Sequence, residues 1–281
     1  MPPPESRSPR VAELFSLEGR GAIVTGAAGI LGRPFCAVLA AYGARVAMLD
    51  VTEKAAAEAA DALKRELPRA ELLPVACDVS RPESVRKAVA AVAARFGAID
   101  ILHNNAATKT SDRSAFLARF EDYTLATWRE IMAVNLDGMF LMAQAVGRRM
   151  LERGRGGSIV QTASIYGIVA SDPRTYEGSE YEGHALNTPA AYAASKAAVI
   201  GLTRHLAAYW APHGIRVNSL SPGGVESGQN ETFNQRYSQR VPLGRMGRAT
   251  EMQGALLYLA SDASSYVTGQ NIVVDGGLSS W

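Results

Sequence analysis

Tyr192 and Lys196, in the stretch PAAYAASKAAVIGLTRHLA, place a phenol and an ammonium four residues apart. On a helix that spacing puts both on one face. A free tyrosine titrates near pH 10 and is a poor base at neutral pH. A cation about 4 Å away in an effective dielectric of about 20 is worth roughly 4 kcal/mol, equivalent to about three pKa units. The spacing therefore predicts that Lys196 brings the Tyr192 phenol toward physiological pH, with burial opposing the shift. Ten tyrosines make a chance pairing easy, so the pair alone decides little. More informative is that a chain using 24 Arg and only five Lys has a compact, tunable ammonium here.

A second group of residues could hold a dinucleotide. Gly26-Ala27-Ala28-Gly29-Ile30-Leu31-Gly32 follows the apolar run GAIVTG and leads into a helical pattern. In that context a glycine-rich turn presents backbone N–H groups to a pyrophosphate, although a plain tight turn reads the same way. Asp50 ends the next apolar run, where a carboxylate accepts both ribose hydroxyls of NAD and repels a 2′-phosphate. It predicts NAD over NADP; the alternative is that Asp50 merely caps the helix beginning near Glu53. Asp78 and the run Asn104-Asn105-Ala106-Ala107 also close apolar runs, at the strand edge where doubly wound sheets bind ligands, yet polar residues there are also ordinary turn formers.

The elements that must position these groups alternate regularly. GAIVTG, ARVAMLD, LLPVACD, IDILHNN, SIVQTAS, IRVNSLSP and NIVVDGG read as strands. Helical patterns cover 31–42, 53–67, 82–96, 127–151, about 190–212 and about 250–260. Seven strands alternating with helices predict a single-domain, Rossmann-type doubly wound α/β fold, its parallel sheet covered on both faces. Ser80 with Glu83, Thr127 with Glu130, and Thr250 with Gln253 each fit a capping box. Residues 1–16 read as a mobile tail, and 17–281 as the domain.

Taken in order, the turn glycines, NNAA, the Asn of VNLDG, the Ser after SIVQTA, Tyr-x-x-x-Lys, SPGG and VDGG resemble the short-chain dehydrogenase/reductase family over about residues 17–281. The resemblance implies a homotetrameric enzyme with a catalytic Asn135, Ser164, Tyr192 and Lys196. Asn135 would anchor a water linked to Lys196, Ser164 would hold the substrate oxygen, and Tyr192 would exchange its proton. It further implies a cofactor site at Gly26, Gly29, Ile30, Leu31, Gly32, Asp50, Val51, Asp78, Val79, Asn105, Ala106, Ala107, Tyr192, Lys196, Pro222, Gly223 and Val225. Of these, Lys196 would bind the nicotinamide ribose, Asp78 and Val79 would lie by the adenine, and Pro222 to Val225 by the nicotinamide.

Three departures from the family pattern matter. Ile30 stands where a middle glycine is usual, with Gly29 one place earlier, and Ala107 replaces the glycine of NNAG. Ser164 precedes Tyr192 by 28 positions, whereas Ser179 has the usual spacing. Ser164 follows an apolar strand, and rigid elements position reacting groups better than the loop YEGSEYEG, which favours Ser164. The extra segment then lies within 166–189 and carries Tyr166, Tyr176, Tyr181, Asp172, Glu177, Glu180, Glu182, Arg174 and His184. It is either a lid over a hydroxyl-rich substrate or a solvated surface loop or subunit contact. A second polar stretch, 226–240, offers Gln229, Asn230, Asn234, Arg236 and Tyr237 as substrate contacts.

Composition narrows the remaining classes. Hydrophobic residues make up 47% of 281 and charged residues 20%, a globular balance. A net charge of +2 with no basic stripe disfavours nucleic acid as a partner. Cys36 and Cys77 stand apart, and the four histidines form no metal pattern, so no metal is expected. No apolar leader or membrane-length run occurs, which predicts a cytoplasmic protein without membrane contact. The reading is an NAD-dependent oxidoreductase interconverting a secondary alcohol and a ketone on a sugar or polyol-like small molecule. GILG, SIYG and the ending SSW suggest a bacterial carbohydrate-modifying subgroup. The rivals are a 3-oxoacyl-(acyl-carrier-protein) ketoreductase and a catalytically silent NAD(H)-binding protein.

Overall fold

The computed structural model describes residues 10–110, 112–181 and 183–281. Seven parallel strands form its main sheet: β1 (Gly21–Thr25), β2 (Arg45–Asp50), β3 (Leu72–Ala76), β4 (Ile101–Asn104), β5 (Gly157–Thr162), β8 (Ile215–Pro222) and β9 (Asn271–Val274). Their order is β3-β2-β1-β4-β5-β8-β9, with pairs such as Ile23↔Ala47 and Gln161↔Ser219 setting the register. The order reverses between β1 and β4, the switch point beside which this architecture opens a ligand crevice. A separate two-stranded hairpin, β6 (Glu180–Tyr181) with β7 (His184–Ala185), lies inside the extra segment.

Side-chain alternation along the strands divides the core in two. Ala22, Val24, Val46 and Met48 face one layer with α1 (Gly32–Ala41), α2 (Glu53–Glu66) and α9 (Gln253–Ala260). Ile23, Ala47 and Leu49 face the other with α3 (Pro82–Phe96), α6 (Gly138–Arg153) and α7 (Ala190–Trp210). Being covered on both faces, the central strands are buried, β1 along its whole length, and the polar side chains they carry, such as His103, Asn104 and Gln161, are buried with them. The short α4 (Arg113–Phe116), α5 (Leu125–Met132) and α8 (Glu231–Gln239) sit over the strand ends.

Several local expectations are corrected. The helix predicted over 127–151 forms, but its hydrogen-bond ladder shifts at a π turn, Ala133–Asp137, which contains Asn135 and separates α5 from α6 while the backbone stays helical throughout. None of the three capping boxes forms. Ser80 Oγ donates instead to Asp78 at 2.6 Å, and α3 starts after Arg81 with Pro82 in its first turn. Thr124 caps α5 by accepting the Thr127 N–H, and Glu251 rather than Gln253 reaches back, to the Arg248 N–H. Within the expected tail, residues 1–9 lie outside those described, but Val11–Phe15 forms a 3-10 turn. Next to it Leu17 is fully buried, its N–H donating to Tyr42 O at 2.8 Å. Met139, Met142 and Met150 are core residues, as their helical spacing suggests.

Candidate active site

The strand ends at the C-terminal edge of the sheet surround an open cavity of about 750 Å³. Its first wall is the turn after β1. Gly26 adopts φ +63°, and a Cβ there would sit 3.0 Å from Ala106 Cα. Gly32 is not on the wall: a Cβ on it would come 2.1 Å from Gly26 O, so it lets α1 start tight against the turn. Thr25 Oγ1 accepts the N–H groups of Asn105 and Ala106 at 2.9 and 3.0 Å, clamping the β4 end onto the glycine turn. Of the residues expected at the cofactor, all but Gly32 line this cavity.

Asp50 faces the same space. Its Oδ2 accepts the Ala28 N–H and its Oδ1 the Val51 N–H, both at 2.9 Å. Thr52 performs the capping of α2, accepting the Ala55 N–H, so the helix does not require Asp50 as its cap. The glycine turn, which leads straight into α1, and this carboxylate together fit a dinucleotide: anion cradle at one end, ribose acceptor beside it. Ala28, Cys77, Thr108, Lys109, Val134, Thr162, Ala163 and Ser227 also line the cavity, though the sequence assigned none of them to the cofactor. Burial pushes the Cys77 thiol up to about 11, which leaves it unreactive at neutral pH.

The reacting groups stand at the far end. Tyr192 and Lys196 share the inner face of α7, with Nζ 5.7 Å from the phenol ring centroid. Nζ donates to Thr162 O at 2.8 Å, and burial draws the ammonium down from 10.5 to about 8. Tyr192 behaves contrary to expectation. Burial raises its phenol above the ordinary value, a hydrogen bond with Ser164 offsets part of the rise, and the nearby Tyr176 adds to it. Desolvation is the largest of these influences, and the Lys196 ammonium is not among them.

Ser164 extends beyond β5 and caps a 3-10 turn at Ile165–Gly167, accepting the Tyr166 N–H at 3.2 Å. Its own hydroxyl proton is thus left to donate. Ser179 is buried but does not line the cavity, whereas Ser164 does. Asn135 is fully buried in the π turn; its Oδ1 accepts the Thr108 N–H at 2.9 Å, and its Nδ2 approaches Ser195 Oγ at 3.5 Å. It braces the loop after β4 and the turn of α7 bearing Tyr192 and Lys196, without lining the cavity itself. Interrupted helical ladders of this kind recur at functional sites. His103, buried against Phe35 with its rings 4.4 Å apart, has its pKa lowered by burial to about 3 and is a neutral core residue.

A second cavity, of about 260 Å³, joins the first at Ser164, Tyr192, Gly223, Ser227 and Lys109. Its outer wall comes from the two polar segments. Tyr166, Tyr176 and Glu180 of the extra segment reach it, as do Gln229, Asn230 and Tyr237; Asn234 and Arg236 do not. Asp172, Arg174 and Glu177 stay on the outer side, where Arg240 meets Asp172 at 3.5 Å and Arg236 meets Glu177 at 3.4 Å. Glu182 lies outside the described residues. Phe116, Leu117, Leu186 and Met246 supply apolar wall that no motif announces.

Comparison with known proteins agrees with this geometry. Residues 26–279 match the family model described as enoyl-(acyl carrier protein) reductase. The chain is 40% identical to a D-threitol dehydrogenase of Mycolicibacterium smegmatis, covering 94% of each. It is 38% identical to a galactitol 2-dehydrogenase (L-tagatose-forming) of Cereibacter sphaeroides, over 95% of this chain and 98% of that one. The crystal structure of a gluconate 5-dehydrogenase from Burkholderia cenocepacia, in complex with NADP and tartrate, superposes with a TM-score of 0.84 at 35% identity, covering 97% of this chain and all of that one. Likeness of this extent in both sequence and fold settles the lineage: the chain belongs to the short-chain dehydrogenase/reductase family.

Proposed function

We propose that the protein is an NAD-dependent oxidoreductase interconverting a secondary alcohol and a ketone on a sugar or polyol. The observation that carries this is the seam between the two cavities, where Ser164 and Tyr192 line both, with Lys196 behind them. A nicotinamide dinucleotide in the larger cavity would supply the hydride acceptor or donor. Ser164 Oγ, already accepting from Tyr166, donates to the substrate oxygen and orients it. Tyr192 takes the hydroxyl proton in oxidation and returns it in reduction. Lys196 stands beside the phenol and is held by Thr162 O. Asn135 keeps the α7 turn and the β4 loop in register.

Asp50 supports the choice of NAD, because a 2′-phosphate beside a carboxylate is repelled. The cofactor contacts inferred for Gly26, Ile30, Asp78, Val79 and Pro222 to Val225, the homotetramer, and a cytoplasmic setting belong to the same reading. The related threitol and galactitol dehydrogenases support the substrate class, as do the hydroxyl-lined walls of the smaller cavity. The test is NADH formation with threitol, galactitol, gluconate, a steroid alcohol and a 3-hydroxyacyl thioester. Turnover of polyols alone supports the proposal; turnover of the thioester alone replaces it with the acyl ketoreductase, and cofactor binding without any turnover replaces it with a silent binder.

A further inference from the structure

The extra segment brings three hydroxyls into line on the wall of the smaller cavity. Tyr176 OH donates to Tyr166 OH at 2.8 Å and lies 2.5 Å from Thr188 Oγ1. All three residues line the cavity that contains Ser164 and Tyr192. Each hydroxyl carries one proton. Because Tyr176 spends its proton on Tyr166, Thr188 must donate to Tyr176, and the Tyr166 proton remains over. No described residue accepts it. The chain is braced: Tyr176 is 9% exposed and packs on Phe233 of α8 with ring centroids 5.5 Å apart. Tyr166 is anchored through its own N–H on Ser164 Oγ. The network is also close enough to the reacting phenol for Tyr176 to raise it.

We infer that Thr188, Tyr176 and Tyr166 form a directed hydroxyl chain whose free end recognises a second substrate hydroxyl, on the carbon next to the one that reacts. The inference rests on the alcohol-oxidising reading above and names its specificity element. An ordered donor in a partly apolar cavity is left unpaired when a substrate lacks the matching oxygen, and such sites discriminate strongly against the analogue without it. A lone secondary alcohol can satisfy Ser164 and Tyr192 but not Tyr166. The preferred substrate class is therefore the vicinal diol and, in the reverse direction, the α-hydroxyketone.

The experiment compares kcat/KM for butane-2,3-diol and butan-2-ol in the wild type, Tyr166→Phe and Tyr176→Phe, with NADH affinity measured in each as a check on folding. The wild type is expected to favour the diol, and each variant to reduce that ratio at least tenfold. Thr188→Val, which removes the hydroxyl at the other end, is expected to reduce the ratio as well and keeps the question decidable should Tyr176→Phe lose NADH binding. A wild type that oxidises both alcohols equally, or variants that leave the ratio unchanged, would overturn the inference while leaving the proposed activity standing. A wild type inactive on both alcohols and on the larger polyols would remove that activity and this inference together.

Discussion

Lys196→Met isolates the cost of placing an ammonium in the interior. Lys196 is 2% exposed, and burial alone draws it from 10.5 to about 8. At about 1.4 kcal/mol per pKa unit, that gap penalises the folded state by roughly 3 kcal/mol at pH 7. The sign follows from the direction. Below pH 8 the group is protonated in both states and the penalty is complete. Between pH 8 and 10.5 the folded protein holds it neutral while the unfolded chain still binds the proton, so the penalty fades as pH rises. Methionine keeps the apolar stem but leaves Thr162 O without its 2.8 Å donor, a loss of about 1–3 kcal/mol. The net is a stabilisation of roughly 1 kcal/mol, or about 3 °C in Tm for a domain of this size. Thermal melts by circular dichroism, without nucleotide, should show the variant above the wild type at pH 7 and below it by pH 10, where the ammonium penalty has fallen below about 1 kcal/mol while the lost donor still costs about 1–3 kcal/mol. Turnover should meanwhile fall by at least about a hundredfold, the lower end for disabled general acid–base catalysis, because Tyr192 loses the cation beside it. A variant melting at or below the wild type at pH 7, or a difference indifferent to pH, would refute the burial argument.

Asp50→Ser should weaken NAD binding about 10- to 100-fold through loss of charged acceptor bonds and improve NADP binding, as titration of both nucleotides would show; an unchanged preference removes Asp50 from the ribose. Thr52→Ala should cost about 1 kcal/mol in chemical denaturation without altering that preference, since the cap and the ribose acceptor are separate residues. For Tyr192→Phe, turnover should be lost with NADH binding retained. In the wild type, because burial raises the phenol, ketone reduction should persist through neutral pH and alcohol oxidation should climb as pH rises, in initial-rate profiles of the two directions. Replacing 172–184 with a short Gly-Ser link should raise KM for a polyol at least about tenfold with NADH affinity intact; unchanged KM and kcat would confine the segment to the surface.

The strand-helix alternation was legible because strands covered on both faces carry short apolar runs, as GAIVTG and ARVAMLD do. The pairing of Tyr192 with Lys196 was legible from helical spacing alone. The direction of the phenol's shift was not, since it depends on how much water the fold removes from both groups, and no spacing encodes that. The caps failed for a related reason. Ser80 and Thr127 have suitable side chains, but the residue left extended at each helix start, Arg81 or Thr124, is chosen by how the chain leaves the preceding element. The π turn at Asn135 carries no compositional mark, and the helical periodicity runs straight through it. The smaller cavity forms where 166–189 meets α4, α8 and the chain after β8, segments far apart in sequence, of which 166–189 and α8 read equally well as loops.

The contacts joining those two segments are sorted by depth. Tyr176 and Phe233 meet on the inside, at 9% and 7% exposure, while the guanidinium–carboxylate pair of Arg236 with Glu177, 39% and 66% exposed, sits toward solvent. Dissolved ions reach only the second kind, for the screening length shortens from about 10 Å at 0.1 M to about 3 Å at 1 M. Brine would thus slacken the outer seam while the aromatic hinge inside holds, making the ease with which small molecules enter and leave a function of the surrounding electrolyte.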